Sequence, residues 1–359
     1  MTRLASLRVR WSIYRGLATI LLNLVVLDVA AGQTQHSDRG HAPAEEAASC
    51  TTKHLVIEEQ GDFFVGGRTI SAPATHSDGN APLPGSIVVD QVWVQYQVPG
   101  KCKRDLPIVM VHGSWHTGKT YLSTPDGREG WRTYFVRRGF PTYITDDVNR
   151  GRSSMDMTQH NLVRLGLAGG GTLPPISRRS NELSWTRFRM GPKPGVSYPE
   201  SQFPAEAQEQ YFAQLTSMYR GPDQMSKRIE GLISVLETVG PAVLVTHSSA
   251  GPIGWAATTA RPDLVRGVVS IEPILLSDFS KFNELSSTPV MIMRGDFDPP
   301  ETIADAEAFV RKAREAGVNA KFVHLPAEGI VGNSHMLMMD RNNLQVADIV
   351  ISWIERNVE

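Results

Sequence analysis

Six short, almost uninterrupted apolar runs constrain this chain more than any other feature. They read P-I-V-M-V-H-G (107–113), P-T-Y-I-T-D-D (141–147), A-V-L-V-T-H-S (242–248), G-V-V-S-I-E-P (267–273), P-V-M-I-M-R-G-D (289–296) and K-F-V-H-L-P-A (321–327). Runs of this length with no polar alternation suit strands covered on both faces. Helical periodicity separates most of them, at 129–139, 222–240, 251–260, 301–317 and 342–356. Strand and helix in alternation predict an α/β fold with a doubly wound, mostly parallel sheet. Two earlier segments, F-F-V-G-G-R-T-I (63–70) and S-I-V-V-D-Q-V-W-V-Q-Y-Q-V (86–98), alternate with period two and predict an antiparallel edge.

One stretch breaks this rhythm. Residues 152–220 hold three consecutive glycines, Pro174-Pro175, several aromatics and many arginines. The segment is too long for a simple crossover and is expected to form a cap inserted over the carboxyl edge of the sheet, where open α/β sheets bind their ligands.

The N-terminus has a different character. Arg3, Arg8, Arg10 and Arg15 precede an apolar run at 16–32 that carries Asn23 and Asp28 and ends in small residues. This pattern predicts a cleaved signal peptide over 1–32, a polar segment over 33–60, and the α/β domain over 61–359. The expected location is secreted or periplasmic, with no stable membrane insertion after cleavage. The two cysteines, Cys50 and Cys102, are an even pair in an exported chain and predict one disulfide. A net charge of −1, without a basic stripe, argues against a nucleic-acid partner. The oligomeric state stays open, with a homodimer as one alternative.

The stretch A-V-L-V-T-H-S-S-A-G (242–251) places two serines on a strand-to-helix turn. Such a turn can present a nucleophile, and its tightness demands small residues two places before and after it. Testing Ser249 puts His247 in the first of these places, and a histidine is too bulky. Testing Ser248 puts Thr246 and Ala250 there; both are small, although Thr246 is β-branched. Ser248 is therefore the expected nucleophile, with Gly251 easing the packing of helix on strand. The alternative is a serine that only caps the following helix.

A serine hydroxyl needs a histidine base, which in turn needs a carboxylate to orient it. The usual chain order on such sheets is serine, acid, histidine, with the histidine after the last strand. His335 lies in the loop E-G-I-V-G-N-S-H-M-L-M-M-D (328–340) and fits that place; His324 lies within the last strand. Two carboxylates compete: Glu272 ends one strand, and Asp298 follows the next, the more usual acid position. The backbone N–H groups of Ser114 and Ser249 are the expected oxyanion donors. His112 and His116, four apart, lack a third ligand of suitable spacing, so a metal is not expected, and the serine chemistry needs no cofactor.

Together, H-G-S-W (112–115), D-V-N-R-G-R-S (147–153), T-H-S-S-A-G (246–251), S-I-E-P (270–273) and G-N-S-H (332–335) resemble the α/β-hydrolase superfamily. More narrowly, the chain resembles exported bacterial carboxylesterases with a Ser–Glu–His triad. The similarity runs from about residue 60 to the end, and its most specific stretch is 332–354. It implies an α/β-hydrolase fold and makes Glu272 the acid, with Asp298 in reserve. One departure is local: Ser114 and Trp115 stand where the family's oxyanion loop can carry a cysteine pair. The expected activity is hydrolysis of a small-molecule carboxylic ester through an acyl-enzyme. The rival readings are the same triad acting on an amide, lactone or polyester, and a non-catalytic binding protein on a hydrolase scaffold. Relatives with dehalogenase or epoxide chemistry carry aspartate where Ser248 stands.

Overall fold

Alternate residues of the central strands send their side chains to opposite faces, and this organises the whole molecule. In a computed structural model describing residues 54–76, 83–275 and 288–358, Ile108 and Met110 of strand β3 (Ile108–Val111) join one apolar cluster, while Val109 and Val111 join another. The same division holds in β7 (Ala242–His247), where Val243 and Val245 oppose Ala242 and Leu244. It recurs in β9 (Val290–Arg294), where Met291 and Met293 oppose Val290 and Ile292. The apolar runs are continuous because both faces are covered. Full burial of each such side chain contributes roughly 1.5–3 kcal/mol.

The sheet has eight strands in the order β1-β2-β4-β3-β7-β8-β9-β10. Its remaining members are β1 (Ile57–His76), β2 (Leu83–Pro99), β4 (Thr142–Asp146), β8 (Val265–Ile271) and β10 (Ala320–His324). Strands β1 and β2 form a long antiparallel hairpin, and β2 runs antiparallel to β4. Every pair from β4 through β10 is parallel. The expected antiparallel edge is therefore present, and longer than its period-two patches.

Helices α1 (Trp131–Arg137) and α8 (Asn343–Asn357) cover one face. Trp131 ties them together by donating from Nε1 to the Asn343 carbonyl at 2.9 Å. Helices α5 (Gln224–Val239), α6 (Gly251–Ala260) and α7 (Pro300–Glu315) cover the other. The 152–220 stretch contains three short helices, α2 (Thr158–Arg164), α3 (Asn181–Arg187) and α4 (Gln208–Ala213). It also carries a separate two-stranded ribbon, β5 (Ile176–Ser177) with β6 (Met218–Tyr219).

The expected signal peptide and Cys50 lie outside the described residues, and with them the expected Cys50–Cys102 disulfide. Residues 57–60, assigned to the polar N-terminal segment on sequence, belong to β1. Among the described residues, no helix is long and apolar enough to cross a membrane.

Candidate active site

The residues singled out on sequence gather at the carboxyl ends of the parallel strands. Strand β7 ends at His247, a 3-10 turn spans Ser248–Ala250, and α6 follows. Ser248 sits at φ +54°, in the left-handed region that side-chain-bearing residues avoid. Trp115 (φ +60°), Arg189 (φ +56°) and Glu272 (φ +51°) share that conformation. Backbone in sparsely populated regions costs on the order of 1–3 kcal/mol per residue and concentrates at functional sites.

Thr246, the uncomfortable residue before the turn, is accommodated from the helix. A Cβ at Gly254 would fall 2.7 Å from the Thr246 methyl Cγ2, so the absent side chain at 254 makes room for the branched one. The Thr246 hydroxyl pairs with Ser270 Oγ at 3.1 Å. Gly251, expected to ease helix-on-strand packing, instead abuts Pro273, whose Cβ would lie 2.7 Å from a Cβ at 251. Gly254 is the glycine that lets helix approach strand.

Gly113 brings the loop after β3 against the turn. A Cβ there would stand 2.9 Å from Ser248 Cβ and 2.8 Å from His247 Nδ1. The next residue, Ser114, donates its hydroxyl to Ser249 Oγ at 2.9 Å. The two expected oxyanion residues are thus adjacent, with Ser248 between them and the strand.

His335 is held from several directions. Its Nδ1 lies 3.3 Å from Glu272 Oε2. Its ring stacks on Phe188, with centroids 5.6 Å apart and planes at 12°. Its N–H donates to the Phe188 carbonyl at 2.9 Å, and its carbonyl accepts from His247 Nε2 at 3.0 Å. The preceding loop is fixed by two aspartates. Asp296 accepts from the N–H groups of Gly332 (2.6 Å) and Asn333 (3.0 Å). Asp340 accepts from Ser334 N–H (2.8 Å), Ser334 Oγ (2.7 Å) and Asn333 Nδ2 (3.1 Å). The specific stretch G-N-S-H-M-L-M-M-D is thus largely a device for fixing one histidine. His324 stays in β10, stacked on Phe322.

Glu272 is buried and accepts the Gly295 N–H at 2.6 Å on Oε1. Its Oε2 meets Arg189 as well as His335, and Arg294 Nη1 lies 3.5 Å away. Asp298 pairs with Arg189 at 2.9 Å and Arg294 at 3.1 Å. No hydrogen bond joins Asp298 to His335 among the described residues. Burial alone would raise the Glu272 carboxyl, but the Arg189 charge, the His335 bond and Arg294 outweigh it and hold the group well below the usual carboxylate range. Asp298 moves the other way: burial and the neighbouring Glu272 charge push it up to about 7 despite the two arginines. Burial, then Arg189, lowers His335 to about 4, so the imidazole is neutral at ordinary pH.

Arg189 had no signal in the sequence. It follows α3 in an irregular segment, yet its Nη2 reaches Glu272 and lies 3.1 Å from His335 Nδ1. A proton on Nδ1 bonds to Glu272; with the proton on Nε2, Nδ1 accepts from Arg189 instead. The 152–220 stretch crosses the site at other points too. Thr216 N–H donates to the Trp115 carbonyl at 2.9 Å, and Gln202 N–H to the Gly332 carbonyl at 2.7 Å. Tyr211 OH meets His116 Nε2 at 3.0 Å, while His116 Nδ1 bonds the Ser114 carbonyl at 2.7 Å. His112 bonds the Gly113 carbonyl through Nδ1 (2.9 Å), and its Nε2 accepts the Asp147 N–H (3.1 Å). Both rings are committed to the protein's own groups, which leaves the His112/His116 pair no free nitrogen for a metal.

No family model matches the chain. A fungal protein described as the probable secreted lipase phiG is 28% identical over 319 residues, covering 74% of this chain and 86% of that protein. A bacterial esterase solved at atomic resolution is 34% identical, covers 86% of this chain and 98% of its own, and superimposes with a TM-score of 0.82. With that identity over nearly the whole of the esterase, and with the sheet and strand-to-helix turn described above, the chain belongs to the α/β-hydrolase superfamily, in the family of that bacterial esterase.

Proposed function

We propose that this protein is an exported carboxylic-ester hydrolase that works through an acyl-enzyme on Ser248. The observation that carries the reading is the contact of Glu272 with His335, beside a serine held at φ +54°. Ser248 Oγ attacks the ester carbonyl while His335 Nε2 takes its proton. Glu272, kept anionic by Arg189 and Arg294, holds the Nδ1 proton and stabilises the imidazolium. The N–H groups of Ser114 and Ser249 receive the oxyanion, and the first turn of α6 adds its dipole. His335 then protonates the leaving alcohol, and the same groups in reverse activate water against the acyl-enzyme. No cofactor enters these steps.

The Ser248 hydroxyl makes no hydrogen bond to His335 in this structure. Catalytic bonds commonly tighten only when substrate is bound. The segment 152–220 serves as the cap, supported by its contacts to Trp115, His335 and Glu272. Export is supported by the N-terminal pattern and by the relative described as secreted.

The test is pre-steady-state hydrolysis of p-nitrophenyl butyrate by the purified mature chain and by Ser248→Ala. A burst followed by turnover, both abolished in the variant, is expected. Equal activity in the two would remove Ser248 from the mechanism. Inactivity of the parent on esters and amides alike would favour a binding role.

A further inference from the structure

A guanidinium buried without a direct ion pair is costly, and one stands beside the oxyanion loop. Arg150 is 2% exposed. The guanidinium's only hydrogen bond among the described residues runs from Nη1 to the His116 carbonyl at 3.4 Å, and its buried Nε has no partner. The carboxylates nearest in sequence are already committed. Asp146 takes Arg152 and the N–H groups of Gly118 and Arg152, and Asp147 takes Arg228 and the Val148 N–H. Burial, then the Arg228 charge, lowers Arg150 to about 10, while the nearby Asp147 and Asp146 charges act the other way, so it stays cationic without a direct ion pair.

The backbone is bent on both sides of this residue, with Asn149 at φ +61° and Gly151 at φ +54°. Arg150 lines a cleft of about 230 Å³ together with Asn149, Gly151, Ser153, Met155, Thr216 and Ser217. No acidic residue lines it. The buried Thr216 hydroxyl also lacks a partner. Between 152 and 220 eight lysines and arginines stand against five acids, in a chain of net charge −1.

The cleft lies beside the oxyanion loop. Thr216 bonds the Trp115 carbonyl and Arg150 the His116 carbonyl, one and two residues after Ser114.

We infer that this cleft is a carboxylate-recognition subsite, so that the preferred substrates are esters carrying a second, free acid group, such as half-esters of short dicarboxylic acids. The inference rests on the ester-hydrolase reading of Ser248. Arg150 supplies the fork that matches a carboxylate, and Thr216 adds a hydroxyl donor.

The experiment compares kcat/KM for mono-p-nitrophenyl glutarate with that for the neutral p-nitrophenyl butyrate. The parent is expected to favour the anionic ester at least tenfold. Arg150→Met should lower that ratio tenfold or more, and Arg150→Lys should restore part of it. Because a buried arginine can affect folding, Met155→Glu provides a second variant: it sets a carboxylate in the cleft and should reverse the preference. Calorimetric titration of glutarate into Ser248→Ala should give saturable binding, lost in Ser248→Ala/Met155→Glu. Absence of preference in the parent, or a preference that survives both Arg150→Met and Met155→Glu, overturns the subsite. Glutarate binding without kinetic preference overturns the substrate assignment. Failure of the parent on all esters sinks the ester-hydrolase reading instead, and glutarate binding still decides whether the cleft takes carboxylates.

Discussion

Neutralising Glu272 separates the two carboxylates that compete for the role of acid. Glu272→Gln keeps the volume and removes the charge. At 3.3 Å from His335 Nδ1, and with an effective dielectric constant of about 20, the carboxylate attracts an imidazolium by about 5 kcal/mol. That corresponds to a fall in kcat of about 10³–10⁴, the size of loss expected when a triad carboxylate becomes an amide. The Gln amide would also set its N–H₂ against Arg189 or the Gly295 N–H, so the imidazole loses orientation along with charge. Asp298→Asn should behave differently. Asp298 touches the two arginines but not His335, and with its pKa near 7 it holds a proton over much of the acid range, which an amide resembles. Its loss in kcat should stay below about tenfold, an effect worth no more than ~1.4 kcal/mol. The assay is steady-state hydrolysis of p-nitrophenyl butyrate at pH 6, with circular dichroism melts to confirm that both variants fold. A larger loss in Asp298→Asn than in Glu272→Gln would refute the assignment of Glu272 as acid.

The base must be neutral to accept a proton, so with His335 lowered to about 4 the acid limb of kcat/KM should fall near pH 4. Arg189→Met removes a cation that opposes the imidazolium, so the limb should move upward towards 6.5; an unmoved limb would exclude electrostatic tuning by Arg189. Gly113→Ala puts a methyl within 2.9 Å of Ser248 Cβ, and displacement of the nucleophile should cost about 10² in kcat/KM; near-normal turnover would show that the loop yields freely. Burial raises the Asp340 carboxyl from 3.8 to about 7. The folded state then binds that proton more tightly than the unfolded one, so its contribution is complete below pH 3.8 and is lost as pH rises towards 7. Urea titrations of Asp340→Asn should lack this decline, at most about 1.4 kcal/mol per pH unit in the parent; parallel profiles would contradict it.

The fold was legible because its strands are buried on both faces, and such strands stand out as apolar runs whatever surrounds them. The strand-to-helix turn that carries Ser248 was legible from the apolar run ahead of it, and the place of His335 from the glycine-containing loop after the last strand. Spacing pointed to Asp298 as the acid, and only the resemblance to Ser–Glu–His esterases pointed to Glu272, the carboxylate found against His335. The contact that distinguishes them depends on the strained end of β8, where φ +51° at Glu272 has no sequence signature. Arg189 was invisible for a related reason. It lies 83 residues from Glu272 and 146 from His335 in a segment without periodicity, so only tertiary packing reveals its partners. The compensation of Thr246 by Gly254 was equally hidden, because it couples a strand to the helix beyond the turn.

The N–H of His335 is spent on the carbonyl of Phe188, and the Arg341 N–H on that of Gln202 at 2.7 Å. Both acceptors belong to the 152–220 stretch, so these amides can exchange with solvent deuterium only when that stretch lifts from the histidine loop. The stretch and the loop therefore open as one cooperative unit, and the slowest amides of each should share a single opening free energy. Proteolytic nicking within 152–220 would loosen His335 even where it leaves the sheet intact. A polypeptide trimmed of that stretch would keep Ser248 and lose the contacts that hold His335.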